Sequence, residues 1–465
     1  MSQATLSITP VDDLIDVPRQ IRVEHLTPGE VIEISTRTVR DAVAWTSQAQ
    51  FRADENGTVD LTRDAPVADS GSYDEVSPMG LIWSQAPESA SRNVFNTPVT
   101  EPLVTQVSVR GTDIGLDGEL VQRLAADGVT RREVREDGLV GVLYLPPGPG
   151  PHPAVMILNG SGGGFNEPRA ALYASRGYAA LSLAYFKAPG LSDYISNTPL
   201  EYFKTGLDWI RRELKPAHDF VAISGQSHGG ELVLLLRAAV PEAVSAVVAY
   251  VPGAVVHSGQ NACDPKIGRE GPTWLLGGKP VPHVWEGNRT ATWAPFDEGP
   301  APHRHEKAIL TALQDPAAVA RARIPVERIQ GPVMLLSGTE DGSWPSTLYS
   351  RMVRDSLREA NHPYPVQWLD YEGGGHTILF PYVPTTQLVY AHPVSGRIST
   401  SGGSPSPNAR ADAESWPGVL AFLRDAVSTR ASGAAGKASV KAAPAIENAG
   451  AVAAAIDAAA IAAKK

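Results

Sequence analysis

The pentapeptide Gly225-Gln226-Ser227-His228-Gly229 is entered by a short apolar run, Val221-Ala-Ile-Ser224, and left by a helix-forming one, Glu231 to Leu236. In that strand-turn-helix setting the G-x-S-x-G pattern is a nucleophile elbow. Such a turn holds the serine backbone in a strained conformation, and side chains at Gly225 or Gly229 would collide with the neighbouring strand and helix. The Ser227 hydroxyl then stands clear at the strand end. The following helix aims its free N–H groups, that of His228 first, at the same spot. This arrangement suits attack on an acyl carbon, with backbone donors receiving the oxyanion.

A serine hydroxyl needs a base and an orienting acid, and after an elbow they follow in the order Asp or Glu, then His. Val333-Met-Leu-Leu336 runs into Ser337-Gly-Thr-Glu-Asp341, and Val366-Gln-Trp-Leu369 runs into Asp370-Tyr-Glu-Gly-Gly-Gly-His376. Asp341, third after the turn glycine Gly338, is the expected acid, with Glu340 as the alternative. His376 is the expected base, its loop free to fold over the sheet edge through three glycines. Asp341 would fix the imidazole tautomer and stabilise the imidazolium. His228 shares the elbow with the serine and is poorly aimed to deprotonate it. His303-Arg-His305 reads as solvated surface, and no His, Cys, Asp or Glu group has zinc spacing, so no metal is expected. Asn159-Gly-Ser-Gly-Gly-Gly164 follows a buried apolar run. Neither a Gly-Lys-Ser/Thr nor a G-x-G-x-x-G spacing accompanies it, which speaks against a phosphate loop. A backbone N–H near Gly162 or Gly163 is the expected second oxyanion donor; a merely tight turn is the alternative.

The elements that must position these residues alternate as strand and helix. Leu139–Leu145, Ala154–Leu158, Ala179–Leu183, Val221–Ser224, Ala243–Val251, 333–336 and 366–369 read as strands. Leu200–Glu213, Ser346–Ala360 and Pro417–Val427 read as helices. That order implies a mostly parallel sheet covered on both faces, an α/β-hydrolase domain over residues 111–431. A Pro-, Gly- and Trp-rich insertion at about 252–324 is expected to cap the site and shape its pocket. Ahead of it, residues 1–110 carry short alternating runs separated by turn signals such as Thr27-Pro-Gly29 and Asn56-Gly57, which predicts an all-β sandwich. The polar stretch Leu116 to Asp127 reads as a helix between them. Residues 432–465 are an Ala-rich, low-complexity tail with no expected function.

With 465 residues, the chain has room for two cores. A net charge of −10 argues against nucleic-acid binding through a broadly basic surface. The lone Cys263 excludes an intramolecular disulfide and fits a reducing compartment. No apolar run is long enough to span a bilayer, neither a signal-peptide pattern nor a Ser-Lys-Leu ending is present, and the expected location is cytoplasmic.

Several blocks in order carry a wider resemblance: Asp13 to Leu26, Gly71-Ser-Tyr73, Met79 to Ser84, Pro199 to Phe203, Ser224 to Leu232, Gly338 to Ser346 and Gly375 to Pro384. From about residue 8 to 428 the chain resembles the acyl-coenzyme A thioesterases and bile acid-coenzyme A:amino acid N-acyltransferases. The resemblance implies an immunoglobulin-like N-terminal domain. It also implies Ser227, Asp341 and His376 as nucleophile, acid and base, a small-molecule acyl thioester or ester as substrate, and no cofactor beyond the coenzyme A of that substrate. Members that transfer to an amino acid carry cysteine as nucleophile; the serine here favours hydrolysis. His228 departs from the lysine or glutamine usual after the nucleophile. A serine hydrolase or acyltransferase acting on another ester, lactone or amide-forming reaction, and a non-catalytic protein on the same scaffold, remain alternatives.

Overall fold

In the computed structural model, residues 3–89, 95 and 97–433 are described; the expected tail, past Gly433, lies outside them. The chain divides into two compact units. The first comprises Met1–Ala126, Leu379–Tyr390 and Ser404–Trp416, the second Asp127–Ile378, Ala391–Gly403 and Pro417–Lys465.

The first unit holds two sheets. Strands Thr5–Thr9, Gln20–Glu24 and Val59–Asp60 form one. The other runs, in spatial order, Asp12–Leu14, Gly115–Arg123, Leu103–Arg110, Val31–Arg40, Val43–Arg52 and Ala86–Pro87. Alternation decides which faces meet: Ile32 and Ile34 point inward, as do Phe51, Val107, Val109 and Leu120 from neighbouring strands. They share one core with Ile21, Val23 and Val59 of the smaller sheet. The sandwich is therefore present, but the helix expected from Leu116 is a strand, Gly115–Arg123, paired antiparallel with Leu103–Arg110. Leu116, Leu120 and Leu124 recur at a spacing that fits both a helix face and one side of a strand, and only sheet pairing breaks the tie. A boundary at 110 would cut this hairpin; the unit runs on to Ala126.

The second unit is an α/β-hydrolase fold built on an eight-stranded sheet. Its strands are β1 (Thr130–Val134), β2 (Val140–Leu145), β3 (Ala154–Leu158), β4 (Ala179–Ala184), β5 (Val221–Gln226), β6 (Ala246–Tyr250), β7 (Val333–Gly338) and β8 (Val366–Tyr371). Spatially they run β1-β2-β4-β3-β5-β6-β7-β8. The pairs from β4 through β8 are parallel, while β1 and β2 are antiparallel additions. Every residue of β3, β4 and β6 is buried, which explains their apolar runs, broken only by Ser182 of β4: each is covered on both faces. Among the covering helices, α1 (Glu167–Ser175) is capped by Asn166, whose side chain accepts from the Arg169 N–H. Helix α2 (Leu200–Leu214) buries Leu200, Phe203, Leu207 and Ile210, one stripe of an amphipathic helix. Helix α3 (His228–Ala239) leaves the elbow, and α4 (Ser346–Glu359) follows the β7 loop.

The insertion between β6 and β7 contains strands Trp274–Leu276 and Lys279–Pro280 and short helices Ala294–Asp297, Glu306–Ala312 and Pro316–Ala322. Trp274, Val284, Trp293, Phe296 and Ile309 from it join the same core as the sheet. Helix α5 (Pro405–Ala431) begins twelve residues before the expected Pro417, which lies inside it. A proline is well placed at the start of a helix, so sequence alone puts the start there. Among the described residues no helix is long and apolar enough to cross a membrane.

Candidate active site

The four loops singled out in sequence follow β3, β5, β7 and β8, all at the carboxyl ends of parallel strands, where α/β sheets bind ligands. At the β5 end Ser227 has φ 61° and ψ −122°, a strained conformation for any residue with a side chain. Its N–H donates to the Tyr250 carbonyl at 3.0 Å and its own carbonyl accepts from the Glu231 N–H at 2.9 Å, so the strain is held from both sides. The flanking glycines are obligatory. A Cβ on Gly225 would sit 2.1 Å from the Gly229 carbonyl oxygen, and one on Gly229 would sit 2.5 Å from that of Leu158. Gly229→Ala should therefore destabilise the fold by about 3 kcal/mol. Gly162→Ala, whose Cβ meets only Pro393 at 3.6 Å, should change little. Urea unfolding compares the two, and equal midpoints would mean that the elbow relaxes.

Asp341 and His376 come together as expected. His376 Nδ1 lies 2.8 and 2.9 Å from the two Asp341 carboxylate oxygens. A carboxylate only accepts, so Nδ1 carries the proton and Nε2 keeps its lone pair. Asp341 is buried and also accepts from the N–H groups of Ser343 at 2.8 Å and Trp344 at 3.1 Å. Glu340 is exposed. The Gln226 side chain donates to the His376 carbonyl at 3.4 Å, tying the His376 loop to the elbow. Trp344 packs edge-on against the rings of both His376 (5.8 Å) and His228 (5.3 Å), and its indole N–H donates to the Val251 carbonyl at 2.8 Å.

A strap that sequence reading missed crosses these loops. The Ser401 carbonyl accepts from the His376 N–H at 2.8 Å and the Gly342 N–H at 2.9 Å, and Gly403 donates to Glu340 at 3.1 Å. A Cβ on Gly402 would fall 2.1 Å from the Glu340 carbonyl oxygen, so only glycine fits this crossing. The strap is far from either loop in sequence and has no motif of its own.

Of the two glycines expected to donate from the loop after β3, Gly163 is already engaged. The Gly163 N–H donates to the Gly160 carbonyl at 3.1 Å, closing a turn, so it is engaged and not offered to a substrate. Gly160 comes close to Ser227: a Cβ there would lie 3.0 Å from Ser227 Cβ and 3.6 Å from its Oγ. Tyr185 donates to the Asn159 carbonyl at 2.6 Å and the Asn159 side chain donates to the Gly163 carbonyl at 2.8 Å. His392 accepts the N–H groups of Val394 and Ser395 on Nδ1, so its Nε2–H donates to Ser161 Oγ, 3.0 Å away.

Beneath the elbow, one turn along α3, Glu231 is fully buried. It accepts from the Trp274 indole at 2.7 Å and meets His257 Nδ1 at 2.6 Å, and His257 Nε2 reaches the Tyr349 hydroxyl at 2.8 Å. His257 stacks on Trp344 at 4.5 Å. Burial pushes the Glu231 carboxyl up to about 7 and pulls His257 down to about 3, both towards a pair without net charge. Burial likewise pulls down His228 and His392 to about 4 and His305 to about 3. His305 is thus not solvated surface: it is buried against Phe296, with ring centroids 4.9 Å apart. Among the described residues no group of three or more His, Cys, Asp or Glu could hold a metal ion.

A mostly parallel sheet with a strained serine elbow and a hydrogen-bonded Asp–His pair at its carboxyl edge defines the second unit as an α/β-hydrolase. Residues 16–136 match the family described as acyl-CoA thioester hydrolase/BAAT N-terminal region, and residues 198–429 match BAAT/acyl-CoA thioester hydrolase C terminal. The chain belongs to this acyl-CoA thioester hydrolase and bile acid-CoA:amino acid N-acyltransferase family. It is 30% identical to acyl-coenzyme A thioesterase 1 of Rattus norvegicus over 94% of this chain and 100% of that one. It is 31% identical to the mitochondrial acyl-coenzyme A thioesterase 2 of the same species, over 92% and 90%. The bile acid-CoA:amino acid N-acyltransferase of Mus musculus is 30% identical over 90% of this chain and 97% of that one.

Proposed function

We propose that the chain hydrolyses an acyl-coenzyme A thioester to the free acid and coenzyme A. The observation that carries this reading is the Asp341–His376 pair, 2.8 Å apart, at the sheet edge that also presents the strained Ser227. In this reaction His376 Nε2 takes the Ser227 proton as Oγ attacks the thioester carbon. The oxyanion is received by the His228 N–H at the helix start and, given the approach of Gly160, by the N–H of Ser161 that follows it. Holding Ser161 through its side chain, His392 keeps that donor in place. Collapse expels the coenzyme A thiolate, which takes the proton from His376, and leaves an oxyester on Ser227. Water, deprotonated by the same imidazole, then attacks the ester carbon, and the imidazolium returns that proton to Ser227 Oγ as the acid leaves. The 252–324 insertion is the proposed cap over the acyl group. A cytoplasmic location is part of the proposal and rests on the single cysteine, Cys263.

Transfer of the acyl group to an amine is the second reading, because one relative is named as an N-acyltransferase. An acyl oxyester on serine is less reactive towards amines than a thioester on cysteine, so the expected product is free acid even with glycine or taurine present. The test is a panel of acyl-coenzyme A and simple ester substrates, with the thiol, free acid and amide quantified and the acyl adduct on Ser227 sought by mass spectrometry. Amide as the main product would overturn the hydrolase reading; turnover of simple esters but not thioesters would overturn the substrate class.

A further inference from the structure

The opposite end of the second unit's sheet holds a cavity of about 400 Å³. Phe220, Ser245, Pro332 and Pro365 line it, each just before the start of β5, β6, β7 or β8, so it opens at the amino ends of the strands, away from the catalytic loops. Phe422 and Tyr364 complete its apolar walls.

Into this cavity comes Arg237, from the last turn of α3. The residue is 3% exposed, and its Nε and Nη1 are buried with no hydrogen-bond partner. The third nitrogen, Nη2, lies where a Cβ on Gly331 would come within 2.8 Å, so glycine leaves room for the guanidinium. The other arginine of the wall, Arg430, is already paired with Asp219 at 2.9 Å, and the one carboxylate of the lining, Asp425, is exposed at the rim. Arg237 itself pairs with no carboxylate among the described residues. A buried guanidinium is normally paired and hydrogen-bonded, because an unpaired ion taken out of water costs several kcal/mol. Burial draws this one down to about 9.

We propose that the cavity is a binding site for an organic anion, a carboxylate or a phosphate on an apolar body. The anionic head would pair with Arg237, whose planar fork suits either group, and the body would lie against Phe220, Phe422 and the prolines. Its volume falls within the range of small-molecule pockets. Hydrolysis at Ser227 neither requires nor implies this site, so its test is separate from that of the reaction.

Calorimetric titration of the full chain with hexanoate, hexyl phosphate and hexanol is the experiment. At least one anion is expected to bind while hexanol does not, and whichever anion binds more tightly identifies the head group. Arg237→Met, which keeps the apolar stem, should weaken binding about tenfold or more, the worth of a charged hydrogen bond. Thr429→Trp fills the mouth without touching Arg237 and should weaken it similarly, which keeps the test decisive if Arg237→Met fails to fold. Binding of hexanol as tight as that of the anions, no binding of either anion, or unchanged affinity in the folded variants would overturn the proposal.

Discussion

Ser227→Ala should leave a folded chain whose turnover has fallen by about 10⁴-fold or more, and Asp341→Asn should fall by about 10⁴ while Glu340→Gln stays near the parent. The serine change deletes a half-buried hydroxyl, not core, so unfolding midpoints should hardly move. The asparagine change is more informative. Its amide can offer an N–H to His376 Nδ1 where the carboxylate only accepts, which moves the ring proton to Nε2 and removes the lone pair that must face Ser227. Because Asp341 also accepts from Ser343 and Trp344, the loop has a second reason to stay in place, and the loss should fall on kcat rather than on the fold. Thiol release from acyl-coenzyme A measures all three variants. If Glu340→Gln were the damaging change, the acid would be misassigned by one residue; comparable hydrolysis by folded Ser227→Ala would remove the serine mechanism altogether.

What could be read from sequence divides along a physical line. The elbow, Asp341 and His376 follow apolar strands, so local pattern and chain order place them; Glu340 is exposed and Asp341 buried. Groups that act across long separations were not legible. His392 meets Ser161 over 231 residues, His257 meets Tyr349 over 92, and the Ser401 carbonyl that steadies His376 belongs to a stretch without any motif. Three consecutive glycines, Gly162 to Gly164, draw the sequence reading to the permissive part of the loop and away from Gly160. The close contact depends instead on how β3 and β5 lie side by side, with Leu158 level with Gly225. His305 is hard to read for a related reason: its polar neighbours Arg304 and Glu306 pair with each other at 3.0 Å while its own ring turns in against Phe296. The Leu116 error is one of period, since one buried side of a short strand and one face of a helix share the i, i+4 spacing.

Stability should fall steeply as the protein is acidified from about pH 6.5 towards pH 4, well before ordinary carboxylates are neutralised. Burial holds His228, His283 and His392 at about 4 and His257 and His305 at about 3. In the unfolded chain each returns to about 6.5. Between these limits the unfolded state binds more protons than the folded one, and stability therefore rises with pH across the window and is lost as pH falls. Each such proton is worth about 1.4 kcal/mol per pH unit. Glu231 works in the opposite sense: held at about 7, it keeps its proton when folded and loses it near 4.5 when unfolded, so its contribution declines as pH rises from about 4.5 to 7. One carboxyl against five imidazoles still leaves a net uptake of about four protons on unfolding, enough for several kcal/mol over one to two pH units. Urea midpoints at pH 7.5, 6.5, 5.5 and 5.0, followed by tryptophan fluorescence, should drop sharply below 6.5 with little change in m. A flat profile across that range would mean that the buried imidazoles are already protonated or hydrated in the folded protein.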